Sequence, residues 1–193
     1  MLVLLIFFLF IFFLLLFILF FVTFFAIDLI MDLPFVGTKK EKIETILKLA
    51  NVKKGETVID LGSGDGRLLF AAAQKGANAI GYELNPFLVL LTQIKIHIKD
   101  YSSSEVEKYK NRGTFPQGRT IKGLITIKRQ NFWKADLSQA DVIFVYAFRK
   151  TMQKFQDFIY KKAKKGTRII VNTNPFPNKK PLKIQNGIFL YRV

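Results

Sequence analysis

The order of apolar and polar positions divides this chain in two. Residues 1–27 carry no charge and a single polar side chain, Thr23, whereas from Lys39 onward the apolar positions come in short clusters separated by charge and glycine. As a helix, the first stretch would be about 40 Å long at ~1.5 Å per residue, enough to cross a hydrocarbon core of about 30 Å with some tilt. A cleaved signal peptide would need a basic leading region, a shorter apolar core and a small-x-small cleavage site. No Lys or Arg precedes the run, and "VTFFAIDLI" offers no such site. The expectation is a retained transmembrane anchor over 1–30, a pre-domain loop and helix over 31–50, and a globular domain over 51–193.

Within the rest of the chain the clusters change period in a regular order. "KKEKIETILKLANV" spaces Ile43, Ile46, Leu47 and Leu49 as one face of an amphipathic helix. "TVIDLG" is a short buried strand, and "RLLFAAAQKG" a helix ending near Gly76. "NAIGYEL" is a second strand, and "NPFLVLLTQIKIHIKDY" a helix with Pro86 in its first turn. The polar run from Ser102 to Gly123 reads as an excursion. Beyond it "LITIKRQN" and "DVIFVYAF" are strands, "KTMQKFQDFIYKKAKKG" is a helix capped at Gly166, and "TRIIVNTN" is a fifth strand. Asn186-Gly187 between two alternating runs is a strong hairpin signal. Strands alternating with helices predict an α/β fold: a Rossmann-like, doubly wound, mostly parallel sheet of about seven strands closing on an antiparallel hairpin. Ligands in such sheets bind at the carboxyl ends of the strands.

Charge sharpens the picture in one respect. The 193 residues hold 30 basic and 14 acidic side chains, but the first 33 contribute only Asp28 and Asp32, so the remainder carries a net charge of +18. Lys39, Lys40 and Lys42 follow the apolar run with none before it, which by the positive-inside rule faces the C-terminal domain to the cytoplasm. The excess favours an anionic lipid surface, at about 1 kcal/mol per well-placed cation, and equally an RNA or an acidic protein. The absence of cysteine agrees with a reducing compartment. No metal-binding set is expected.

The chemistry concentrates in "VIDLGSGDGRLLF". Its glycines are Gly62, Gly64 and Gly66, whereas a dinucleotide fingerprint would require a glycine at Arg67. The pattern Asp60-x-Gly62-x-Gly64-x-Gly66 instead resembles motif I of the class I S-adenosylmethionine-dependent methyltransferases. Glycines there let the backbone pass close beneath a ligand that brings no phosphate, and Asp60 can meet the ligand's amino group. Glu83, in "GYELNP", ends the second strand, where a carboxylate accepts charge-assisted bonds from ribose hydroxyls. By the same resemblance Asn131 would read the adenine amino group and Phe132 would pack on its ring.

The segments "PFVGT", "DLGSGDGR", "GYELNP", "NFWKADLS" and "NPFP" occur in this order. Together they resemble the small membrane-anchored protein-lysine methyltransferases related to those modifying the ATP synthase c-subunit and the adenine nucleotide translocase. The resemblance implies S-adenosyl-L-methionine as cofactor, held by Thr38, Asp60, Gly62, Gly64, Asp65, Gly66, Glu83, Asn85, Asn131 and Phe132, with Pro34 to Thr38 folding over it. It also implies a lysine of a membrane protein as acceptor. Asp65 and Tyr146 are the candidates for the catalytic proton acceptor, with loop support and core packing as their alternative roles. Two features depart from the family: Gly37 stands where proline is common, and the excursion after Ser102 is long. "NPFP" is not the N-P-P-Y of amide and adenine methyltransferases, which follows the fourth strand, and His97 is given no role. The competing functions are an RNA methyltransferase, a lipid or quinone methyltransferase, and a cofactor-binding membrane module without catalysis.

Overall fold

The computed structural model describes residues 1–30, 37–98 and 123–193, with side chains in the first helix as far as Thr23. Pro34 to Val36 and the excursion up to residue 122 lie outside the described residues. The chain divides into two units, Met1–Phe35 and Val36–Val193. In the first, helix α1 (Leu2–Ile30) runs 29 residues. Its stretch Leu2–Thr23 has a mean hydropathy of 3.6 and is long and apolar enough to cross a membrane. The Thr23 hydroxyl donates to the Leu19 carbonyl one turn back, which satisfies the polar group inside its own helix.

The second unit is a seven-stranded sheet in the order β3-β2-β1-β4-β5-β7-β6. Its elements run α2 (Lys40–Ala50), β1 (Thr57–Leu61), α3 (Arg67–Gln74), β2 (Asn78–Glu83), α4 (Pro86–Ile98), β3 (Ile125–Arg129) and β4 (Val142–Val145). They continue with α5 (Met152–Lys162), β5 (Arg168–Asn172), β6 (Lys183–Gln185) and β7 (Ile188–Arg192). The first five strands are parallel; β7 pairs antiparallel with β5 and β6. This is the α/β architecture that the alternation of periods predicts. The central strands carry unbroken buried runs, such as Val142-Ile143-Phe144-Val145, because both faces of a parallel sheet are covered. Ile46, Leu49 and Ala50 of α2 belong to the same core as Val58, Phe144 and Ile188. The hairpin turn is Asn186-Gly187, with φ of 50° and 70°, the conformation this dipeptide favours.

Gly76 ends α3 as its pattern suggests. Its N–H donates to the Ala73 carbonyl and that of Ala77 to the Ala72 carbonyl, at 2.9 and 3.3 Å, with φ +83° at the glycine. Gly166 does not end α5. The helix stops at Lys162, where Ala163 turns to extended backbone with ψ of 148°, and the Thr167 hydroxyl, 2.7 and 2.8 Å from the carbonyls of Ala140 and Lys164, shares its one proton between them and ties the following turn to the loop before β4. Gly166 takes φ +90° in that turn, and Gly55 takes +82° in the matching "KKGE" turn before β1. Strand β4 also stops at Val145, short of the apolar run that predicts it. The amino edge of the sheet is cross-braced: Arg168 pairs with Glu56 at 2.6 Å, and Lys164 with Asp141 at 2.7 Å.

Gly81 in β2 is where helix and turn press onto the sheet. A Cβ there would stand 2.5 Å from Leu69 Cδ1 and 2.8 Å from Ser63 Cβ. Gly81→Ala is therefore expected to lower stability by about 1–3 kcal/mol, the usual cost of overpacking. A chemical denaturation midpoint equal to that of the unaltered chain would contradict the close approach.

Candidate active site

Five parallel strands bring five chain segments to one edge. The carboxyl ends of β1, β2, β3 and β4 deliver Asp60 and the glycine turn, Glu83, Asn131 and Tyr146 respectively, and the end of β5 delivers Thr173 and Asn174. The strand order reverses between β1 and β4, so this edge holds the switch point at which such sheets bind ligands.

The turn after β1 depends on its glycines. Gly62, Gly64 and Gly66 have φ of 91°, 56° and 78°, in the region side chains disfavour. Among the described residues no atom lies within 4 Å of where a Cβ on Gly62 would stand, so they leave the backbone face there open. At Gly66 the same Cβ would meet Thr92 Cγ2 at 2.8 Å, so that glycine serves packing. Glu83 fixes the turn to β2: its Oε2 accepts the Gly64 N–H, and its Oε1 accepts those of Leu84 and Asn85, all at 2.8 Å. A carboxylate offers about four acceptor directions. Three are taken by backbone, which holds the group rigidly and leaves one on Oε2.

Asp65 is held differently. Arg67 Nε donates to its Oδ1 at 2.8 Å and Arg67 Nη2 to its Oδ2 at 3.0 Å, and Lys95 Nζ from α4 lies 3.4 Å from Oδ2. Burial acts to raise the Asp65 carboxyl, but the bonds and charges of Arg67 and Lys95 outweigh it and hold the group below the usual carboxylate value. Arg67 Nη1 also donates to the Thr38 carbonyl at 2.7 Å, and its guanidinium lies 2.7 Å from where a Cβ on Gly37 would stand. Gly37 thus makes room for the side chain that joins the pre-domain loop to the glycine turn.

Asp60 is the exception among these acids. It is 5 % exposed, and among the described residues no ion pair reaches it. Burial, then the negative charges of Glu83 and Asp65, push its carboxyl up to about 7. The surroundings therefore lack a cation that Asp60 would welcome. The open backbone at Gly62 and this uncompensated carboxylate fit the amino group of an S-adenosylmethionine-like ligand.

The remaining predicted residues are placed as follows. Asn85 is buried and caps α4, accepting the N–H groups of Phe87 and Leu88. Asn131 caps a short 3-10 turn by accepting the Trp133 N–H at 3.0 Å. Phe132 is buried against Phe155 of α5, its ring centroid 5.2 Å away, with Trp133 packed beside both. Thr38 is buried and Tyr146 half-buried, while His97 is exposed. In "NPFP", Phe176 is core and its N–H donates to the Tyr191 hydroxyl, while Asn174 Nδ2 donates to the Ala147 carbonyl beside Tyr146. Thr173, a β-branched residue, adopts φ +72°, an uncommon conformation held by Lys42, whose Nζ donates to its Oγ1 and to Asn172 Oδ1 at 3.0 Å. Lys95 and Lys42 carry no motif signal, and Arg67 closes the segment "DLGSGDGR" without a role assigned to it. Only Arg67, two residues from Asp65 in a glycine turn, is close enough in sequence to suggest its pairing.

Because the folded Asp60 carboxyl lies near 7, against about 3.9 unfolded, the folded state holds that proton more tightly. Stability is present below the unfolded value and is lost as pH rises through 7. Asp60→Asn is expected to raise the melting temperature of the ligand-free protein at pH 8 and to leave it nearly unchanged at pH 4. An equal effect at both values would overturn this assignment.

Known proteins are similar to this chain. The model of the family "Histone methylation protein DOT1" matches residues 35–187. The human lysine N-methyltransferase of the ATP synthase c-subunit is 29% identical over 149 residues, covering 77% of this chain and 55% of that protein. The mouse adenine nucleotide translocase lysine N-methyltransferase is 28% identical over 159 residues, covering 82% and 60%. The chain thus spans little more than half the length of these relatives. Among solved structures, an RNA methyltransferase from Salinibacter ruber, in complex with S-adenosyl-L-homocysteine, superposes with a TM-score of 0.62 at 26% identity, covering 81% of this chain and 92% of that one. With the family model matched across nearly the whole α/β unit and the glycine turn and Glu83 at its carboxyl edge, the chain belongs to the histone methylation protein DOT1 family of class I S-adenosylmethionine-dependent methyltransferases.

Proposed function

We propose that this protein is a membrane-anchored methyltransferase that uses S-adenosyl-L-methionine to methylate a lysine of a membrane-associated protein. The observation that carries the reading is the buried Asp60 carboxylate, with only negative neighbours, at an open glycine turn whose other end Glu83 fixes. The two lysine methyltransferases among its relatives support the acceptor class, and α1 supports the anchor. The basic residues that follow α1 favour a cytoplasmic face for the α/β unit.

In this reading the cofactor supplies a sulfonium methyl that an unprotonated amine can take in line. The chain's own residues do the rest. Asp60 would hold the cofactor's amino group and Glu83 Oε2 a ribose hydroxyl, while the open backbone of the glycine turn at Gly62 would let the ligand approach and Gly66 would pack the turn on α4. Asn85, Asn131, Phe132 and Thr38 border that site. Alignment of amine and methyl supplies much of the rate, as proximity can. A lysine must also lose a proton from a group whose free pKa is ~10.4. Asp65 is poorly suited to accept it, being paired with two cations, and its work is to hold the turn to Arg67 and the Thr38 loop. Tyr146, half-buried where β4 ends, is the better-placed candidate at the reacting centre.

The +18 balance outside the anchor and the likeness to an RNA methyltransferase favour one second reading, methylation of RNA. One experiment separates the two. Detergent-solubilised full-length protein is incubated with radiolabelled-methyl cofactor and membranes of the same organism, and label is partitioned between protein, RNA and lipid. Label is expected in a small membrane-protein band. Glu83→Ala, which removes the charged acceptor, is expected to weaken S-adenosylhomocysteine binding roughly 10- to 100-fold, as loss of a charge-assisted bond of about 1.5–3 kcal/mol implies. Label in RNA instead would keep the cofactor and replace the substrate. Cofactor bound without label anywhere would count against catalysis.

A further inference from the structure

Among the described residues, seven large apolar side chains of the α/β unit are exposed, and four of them lie on α4: Leu90, Leu91, Ile94 and Ile98, at 54, 42, 48 and 75 %. At about 100° per residue these four, with half-buried Phe87, occupy a single arc of roughly 100°. The opposite arc, Leu88, Val89, Thr92 and Ile96, is buried. The helix is thus apolar on two opposite faces, and the described residues of the unit cover only one. A surface helix ordinarily turns charge outward, and contiguous exposed apolar stripes mark interaction sites.

We propose that this outer face of α4 lies in the headgroup region of the bilayer that α1 spans, so that the unit rests on the membrane through α4 as well as being tied to it. The inference depends on the anchor reading above. Three observations favour lipid as the occupant. Seven peptide steps separate Ile30 from Gly37, a reach of at most about 25 Å, shorter than the ~40 Å diameter expected for a unit of this size. A unit so closely tied must keep some part of its surface near the lipid. The net charge of +18 outside the anchor complements anionic headgroups, and an apolar helix face on a basic domain is a combination that binds the interface. Finally, α4 is built into the candidate site. It starts three residues after Glu83, its Thr92 hydroxyl donates to the Gly64 carbonyl at 3.3 Å, and its Lys95 donates to the Asp65 carbonyl at 3.0 Å. Seating α4 in the interface would hold the glycine turn at the membrane surface, where a lysine at the rim of a membrane protein stands.

The absence of cysteine makes the test clean. Single cysteines are introduced into the full chain at Ile94, at Lys165 as an exposed comparison, and at Phe10 within α1, and each carries a fluorophore. The proteins are reconstituted in vesicles of phosphatidylcholine and phosphatidylglycerol with brominated acyl chains, which quench only what touches lipid. Binding of S-adenosylhomocysteine confirms that each labelled chain is folded, and Leu91→Cys and Ile98→Cys repeat the measurement on the same face. Quenching is expected at Phe10 and Ile94, several-fold stronger than at Lys165, and weaker at Ile94 when the anionic lipid is left out. Quenching at Phe10 but not at Ile94 would overturn the inference and leave the anchor standing. Quenching at neither would remove the anchor reading and the inference with it. A blue-shifted but unquenched label at Ile94 would mean that protein covers the face: a second copy if the shift grows with protein concentration, the chain's own residues if it does not. Either result would overturn the proposal.

Discussion

Three carboxylates meet at the carboxyl edge of this sheet, and the chain neutralises them unequally. Glu83 is satisfied by three backbone N–H groups and Asp65 by two cationic side chains, whereas Asp60 is buried with neither. At the opposite edge the acids Glu56 and Asp141 each have a basic partner. The contrast divides the sheet into an edge built for stability and an edge built for a ligand. A carboxylate pushed up to about 7 by burial and like charge is costly to keep ionised. A bound cation would relieve that cost, and this is the physical content of the role proposed for Asp60.

The parts of this site that are local in sequence are legible in it. The three glycines read as a turn passing beneath a ligand, and Glu83 as the acid ending the second strand. The structure gives the glycines positive φ and sets Glu83 at the end of β2, bonded to the turn through the Gly64 N–H. The Asn-Gly hairpin and the C-cap at Gly76 are likewise short-range and follow from backbone conformation alone. What cannot be read is whatever joins distant segments. Arg67 first registers as a failed fingerprint, yet it joins Asp65 to the Thr38 loop and explains Gly37. Lys95 stands thirty residues from Asp65 and reaches it only because α4 crosses the turn. Gly166 misleads for a related reason: the Thr167 bond to Ala140 ties its turn to the loop before β4, and no helix pattern contains that contact.

Asn85 and Asn131 show how one residue type serves two purposes. Each caps the element that follows it, α4 in one case and a short 3-10 turn in the other. At Asn131 the side-chain oxygen committed to the Trp133 N–H leaves the amide nitrogen to donate. Capping therefore fixes which end of that amide faces away from its turn, and a site bordered by such a residue is oriented by the fold before any ligand arrives. Phe132 is fixed in the same way, by Phe155 and Trp133.

A negative site within a strongly positive domain raises the question of how cationic reactants reach it. The cofactor bears a sulfonium and an ammonium, and a lysine acceptor approaches charged, so both move against the net field. Screening answers most of this. At physiological salt the Debye length is about 8 Å, so exposed lysines further away than that contribute little at the glycine turn. Buried charges are screened much less, and Asp60, with Glu83 beside it, therefore dominates the potential where the ligand would sit. The surface charge is left free to act at the surface, within range of any anionic headgroups beside it. In the proposed reading the two fields would act at different places, one drawing the domain to lipid and the other drawing cations into the site.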